Sequence, residues 1–76
     1  MENEIKRILE DIMPMVDWDS DFVFSELDSL QIVHILITLA DKYKIELSAL
    51  DATPKNLKNL TSITNMVENK LKEKQM

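Results

Sequence analysis

An all-α fold, a small four-helix bundle, follows from three observations on this sequence. Apolar residues recur at helical spacing in three separate stretches. No stretch shows the two-residue alternation of a half-buried strand. The chain contains no glycine, which removes the usual residue of tight hairpin turns. Three long helices and one short third helix are expected around one core, in a single domain over residues 1–76.

The first helix is predicted from Ile5, Ile8, Leu9 and Ile12, which share one face, with Glu2, Glu4, Lys6, Arg7, Glu10 and Asp11 on the others. Pro14 ends it near Met13, because a residue before proline is pushed out of the helical region. Glu2 and Glu4 suit the positive end of the helix dipole. A connection from Pro14 to Leu27 follows. Asp17, Asp19, Ser20, Asp21 and Ser25 are turn or cap formers there. Val16, Trp18, Phe22, Val23 and Phe24 suggest that the loop is pinned onto the core, since long loops in small domains are uncommon unless functional or self-packed.

The second helix is predicted from Ser29 to about Tyr43, with Asp28 as its N-cap. Leu30, Val33, Ile37 and Ala40 form one stripe, extended by Leu36 and Tyr43, and Ile32, Ile35 and Leu39 lie beside or opposite it. A helix apolar nearly all round is either central or partly offered to a partner. Residues 45–60 read as loop with a short helical turn. Ile45, Leu47 and Leu50 are spaced to touch the core, Thr53-Pro54 suits a helix start, and Leu57 and Leu60 face inward. The last helix starts at Thr61 or Ser62 and carries Ile63, Val67 and Leu71, flanked by Leu60 and Met66. It ends in the basic stretch Lys70 to Lys74.

Composition excludes several classes. Net charge is −5, with −7 over residues 2–28 and +2 over the rest. An acidic half repels a phosphate backbone, so no nucleic-acid partner is expected. With no cysteine there is no disulfide or thiolate metal site. The longest apolar run, Ile35 to Ala40, is broken by Thr38, and the acidic start is unlike a secretory or transit peptide. No membrane span, a cytoplasmic location and a monomer are the expectations.

Conventional enzyme parts are scarce. The single histidine, His34, lies mid-helix, five residues after Ser29 and on a different face, so a Ser-His-Asp arrangement is not expected. No carboxylate spacing around His34 suggests a metal site, and a glycine-rich phosphate loop is impossible. What remains is Asp28-Ser29-Leu30 at the mouth of the second helix. A serine in a first helical turn is exposed, and a phosphodiester on its hydroxyl would lie at the positive end of the dipole near unpaired N–H groups. Taken alone, the Asp28-Ser29-Leu30 string favours the simpler reading, in which Asp28 or Ser29 is only a helix cap.

The run Glu26-Leu27-Asp28-Ser29-Leu30-Gln31-Ile32-Val33 resembles the prosthetic-group motif of acyl and peptidyl carrier proteins. Helix order, length and acidity extend the resemblance along nearly the whole chain, through Ile45-Glu46-Leu47, Asp51 to Leu57, and Leu60-Thr61-Ser62-Ile63. It implies a freestanding carrier, not an enzyme, with 4'-phosphopantetheine attached to Ser29 by a phosphopantetheinyl transferase. Asp28 and Leu30 are motif positions, and Asp28 is placed to help the transferring enzyme hold a divalent metal. The arm's thiol would hold acyl or aminoacyl cargo as a thioester, loaded by a ligase or acyltransferase and passed to downstream biosynthetic enzymes. Ile32, Val33, Leu36, Ile37, Leu47 and Leu57 are candidates to line a cargo groove, although core packing accounts for them as well.

Two departures qualify the resemblance. Glu26 stands where the family often has glycine. Gln31, His34, Thr38, Ala40, Asp41 and Lys42 give the second helix a nearly neutral outer face, net +1 from Ser29 to Lys44, where fatty-acid carriers are strongly acidic. Weak electrostatic steering and apolar contacts point to a dedicated partner set in a specialised pathway. The alternative is a cofactor-free helical adaptor that binds a partner through its apolar second helix. A minimal hydrolase built on Ser29 and His34 ranks below both.

Overall fold

Proline and capping residues set where the chain turns. In the computed structural model, which describes residues 1–74, Glu2–Ile12 form α1 and Pro14 follows its end. The connection then folds back as a series of turns and forms a short helix, α2, at Val23–Glu26. Ser29–Tyr43 form α3, a 3-10 turn occupies Ala49–Asp51, and Leu60–Lys74 form α4. The described residues are all helix, turn and loop, with no strand.

The core lies where α1 and α3 meet α4. Ile5 and Leu9 of α1, Ile35 and Leu39 of α3, Ile63 and Val67 of α4, and Leu57 ahead of α4 are fully buried. Each such side chain contributes roughly 1.5–3 kcal/mol relative to leaving it exposed. Polar contacts at the surface fix the helices further. Tyr43 Oη of α3 donates to Glu4 Oε1 at 2.6 Å, and Thr61 Oγ1 of α4 donates to Glu2 Oε1 at 2.9 Å. No side-chain polar atom buried among the described residues lacks a partner, and Thr64, whose Oγ1 donates to Leu60 O, is the buried polar residue.

The long connection is pinned as expected, mainly by Trp18. Its indole is buried and Nε1 donates to Met13 O at 3.1 Å, using a carbonyl at the α1 end. Val16 and Val23 are also buried and Lys6 Nζ pairs with Asp19 at 2.8 Å. Phe24 packs against the core, but Phe22 is exposed, so the second aromatic is no anchor. A Cα radius of gyration of 11.3 Å against an expected ~11.4 Å for a folded chain of this length agrees with a connection folded in rather than trailing.

The inward face of α3 differs from the expected stripe. Ile35, Leu36 and Leu39 are buried and Ile32 and Tyr43 are half-buried. Leu30, Val33 and Ile37 are exposed and Ala40 and Thr38 are half-buried. Both stripes have helical spacing, and the choice follows side-chain size. Turning Ile32, Ile35, Leu36 and Leu39 inward hides four large side chains, whereas the other stripe ends on small Ala40.

Three smaller differences lie nearer the C-terminus. Leu50 points to solvent at 89% exposure, because the 3-10 turn buries none of its own residues. Thr53 Oγ1 accepts from Asn56 N, but the turn after Pro54 does not continue as a helix. Asn59 Oδ1 accepts from Ser62 N at 2.9 Å, so Asn59, not Thr61 or Ser62, caps α4 and stops that turn short.

Candidate functional site

The site is built around the N-terminus of α3. Leu27 and Asp28 are extended, at φ −100° and −98°, so the chain arrives straight before the helix begins. Asp28 Oδ1 accepts from Gln31 N at 2.8 Å, and Gln31 Oε1 accepts from Asp28 N at 2.9 Å. This reciprocal capping box fixes the first turn of α3. Ile32 N donates to Asp28 O and begins the helical ladder. The amides of Ser29 and Leu30 are thereby left as first-turn donors without a helical acceptor.

Ser29 is therefore the first residue of the helix, exposed, with its hydroxyl at the positive end of a fifteen-residue dipole. Leu30 next to it is 82% exposed. The nearby serines differ. Ser25 Oγ donates to Phe22 O at 2.7 Å inside α2, and Ser20 Oγ accepts from Phe22 N at 3.0 Å. Ser48 Oγ accepts from Leu50 N. Among the described residues, Ser29 Oγ has no such internal partner.

Beside Ser29 runs a groove of about 390 Å³ between α3 and the segment that carries the 3-10 turn. Ser29 lies in its wall together with Ile32, Val33, Leu36, Ile37 and Leu47. Five of the six candidate lining residues are thus brought together. Leu57 is not among them. It is fully buried in the core beneath, because the turn after Pro54 carries it inward. No charged side chain lines this groove.

His34 is exposed and outside the groove wall, so Ser29 and His34 are not gathered at one site. No group of three or more His, Asp or Glu among the described residues is arranged to hold a metal ion. Glu26, at the position where the resembled motif often has glycine, closes α2, and its Oε1 accepts from Asp17 N at 3.4 Å. The backbone there needs no left-handed residue. Among the described residues the single positive φ is at Lys44, 55°, where α3 ends and Ile45 N donates to Ala40 O.

The residues present fit a phosphodiester-linked arm: an exposed hydroxyl, two first-turn N–H donors and an adjoining apolar groove. The family model for the phosphopantetheine attachment site matches residues 3–68, from α1 into α4. The chain belongs to that family. A search of curated proteins and one of solved structures give no match. Members of the family bear 4'-phosphopantetheine covalently on a serine. The chain is accordingly a phosphopantetheine-bearing carrier protein. Carrier domains are non-catalytic and work with phosphopantetheinyl transferases and biosynthetic enzymes. No helix among the described residues is long and apolar enough to cross a membrane.

Proposed function

We propose that Ser29 is the serine that bears the arm. The observation that carries this is its position: an exposed hydroxyl at the first residue of a capped helix, opening onto an apolar groove. The bound group supplies a thiol at the end of a flexible arm, on which cargo is held as a thioester. The chain's residues do the rest. Ser29 Oγ provides the oxygen of the phosphodiester, and the amides of Ser29 and Leu30 face the resulting negative charge. Asp28 has two tasks. One oxygen holds the Gln31 amide, and its charge at the helix mouth helps the transferase keep a divalent metal near the diphosphate of coenzyme A.

The cargo is acyl or aminoacyl, and the pathway is a specialised one with dedicated enzymes. Leu30, Val33 and Ile37 support this, since an apolar outward face offers contact area with little long-range steering. The carrier acts as a cytoplasmic monomer that meets its transferase, a loading ligase or acyltransferase, and the enzymes that use the cargo. The test is incubation with coenzyme A, magnesium and a broad-specificity transferase. Wild type and Ser25→Ala gain the mass of one phosphopantetheine, and Ser29→Ala gains none. An adduct on Ser29→Ala would move the site elsewhere. A cofactor-free adaptor would gain no mass in any form.

A further inference from the structure

In the connection between α1 and α3 an aromatic ring stands in water on a fixed backbone. Phe22 is 71% exposed. Its N donates to Ser20 Oγ at 3.0 Å, and its O accepts from Ser25 Oγ at 2.7 Å and Ser25 N at 3.1 Å. Trp18 before it and Val23 after it are buried, so the chain is anchored on both sides of the ring. A ring presented in this way loses little freedom when a partner covers it, as the aromatic anchors of interfaces do.

The surroundings of the ring are anionic. Residues 14–27 hold Asp17, Asp19, Asp21 and Glu26 and no lysine or arginine. All four carboxylates are exposed. Asp19 pairs with Lys6 of α1, and among the described residues Asp17, Asp21 and Glu26 form no ion pair. Asp21 adjoins Phe22, and Glu26 lies one helical turn on, at the end of α2. Glu26 Oε1 accepts from Asp17 N, which ties the start of the connection to its end.

A guanidinium satisfies both features at once. Its planar face stacks on an aromatic ring while its edge donates paired hydrogen bonds to a carboxylate, which an ammonium cannot do. We propose that Phe22, flanked by Asp21 and Glu26, is a docking point for an arginine on the surface of a partner protein, separate from the outer ladder of α3. A second copy of the chain is a poor occupant. Its one arginine, Arg7, has Glu10 and Asp11 one turn away on α1, and these would meet the carboxylates of the connection. The docking point does not depend on which serine bears the arm.

NMR titration of the unmodified full chain with a capped Arg-Ala-Arg peptide, beside capped Lys-Ala-Lys, tests it. The arginine peptide is expected to move the Phe22 ring signals and the Asp21 and Glu26 amides, and to bind about two- to fivefold tighter than the lysine peptide. Phe22→Ser and Glu26→Gln each weaken it by about two- to fivefold. Glutamine keeps an oxygen for Asp17 N, and an unmoved Val23 amide shows that the connection stays folded. Asp11→Asn removes the same charge from α1 and leaves binding unchanged. Equal binding of the lysine peptide, wild-type affinity in Phe22→Ser, or an equal loss in Asp11→Asn would overturn the proposal. So would the same shifts from raising the protein concentration alone, which would place a second copy there.

Discussion

At the scale of single residues, Asp28 caps α3, and substitution separates that cap from the metal assistance proposed for it. Asparagine caps a helix about as well as aspartate, so Asp28→Asn keeps the Gln31 contact and leaves the unfolding free energy within about 0.5 kcal/mol of wild type. Loading by the transferase slows about tenfold, the equivalent of ~1.4 kcal/mol of lost metal assistance. Asp28→Ala loses the cap as well and costs about 1 kcal/mol of stability. Denaturant unfolding beside initial loading rates distinguishes these outcomes. Equal loading by Asp28→Asn and wild type would confine Asp28 to capping.

Tyr43 gives a pH dependence of definite sign. Burial first, and then its hydrogen bond to Glu4, raises the phenol above its ordinary value. The folded state therefore favours the protonated form. That contribution is fully present below about pH 10, where the unfolded phenol is also protonated. It is lost as pH rises through the higher folded value. The stability difference between wild type and Tyr43→Phe is expected to be roughly 0.5–1.5 kcal/mol near neutrality and to shrink above about pH 10. A difference constant across that range would show that the phenol does not couple to folding.

At the scale of elements, α3 is the decisive helix. Its inner ladder of Ile35, Leu36 and Leu39 belongs to the core, and its outer ladder of Leu30, Val33 and Ile37 is exposed, the face proposed to meet partner enzymes. Ile37 is 62% exposed, so Ile37→Glu is expected to change stability by no more than about 0.5 kcal/mol. The same change weakens transfer of cargo to cognate enzymes, read as a raised KM for the carrier as substrate. An unchanged KM with every cognate enzyme would remove this face from recognition.

The boundaries of α1 and α3 were legible because Pro14 and Asp28 are strong local signals and the periodicity between them is long. Which face of α3 turns inward was not legible. A helix with apolar residues all round has two nearly equivalent stripes, and only the shape of the surrounding core chooses between them. Helix α2 escaped notice because four residues are too few to show a period, and it exists mainly through the packing of Val23. The cap of α4 was ambiguous because Asn59, Thr61 and Ser62 are all good cap residues within four positions. The outward direction of Leu50 was not legible, since apolar spacing across a 3-10 turn does not fix direction.

At the scale of the molecule, the bundle separates a closed core from an open working surface. Fully buried side chains hold α1, α3 and α4 together, while Ser29, its groove and the outer ladder of α3 all lie outside that core. Among the described residues the buried side chains are apolar apart from Thr64. This division suits a protein that is handled by other enzymes. The family was legible through the motif around Ser29 and the helix order. The groove and the inward turn of Leu57 were both legible, but that Leu57 lies beneath the groove and not in its wall was not, since it depends on how the turn after Pro54 enters α4.

The most direct test of the central claim is to locate the arm within the loaded chain. After transfer from coenzyme A, the protein is fragmented and the phosphopantetheine mass is assigned to a residue by mass spectrometry. The group is expected on Ser29, with Ser25 and Ser48 unmodified. The group on any other serine, or a chain that an active transferase leaves unmodified, would contradict it.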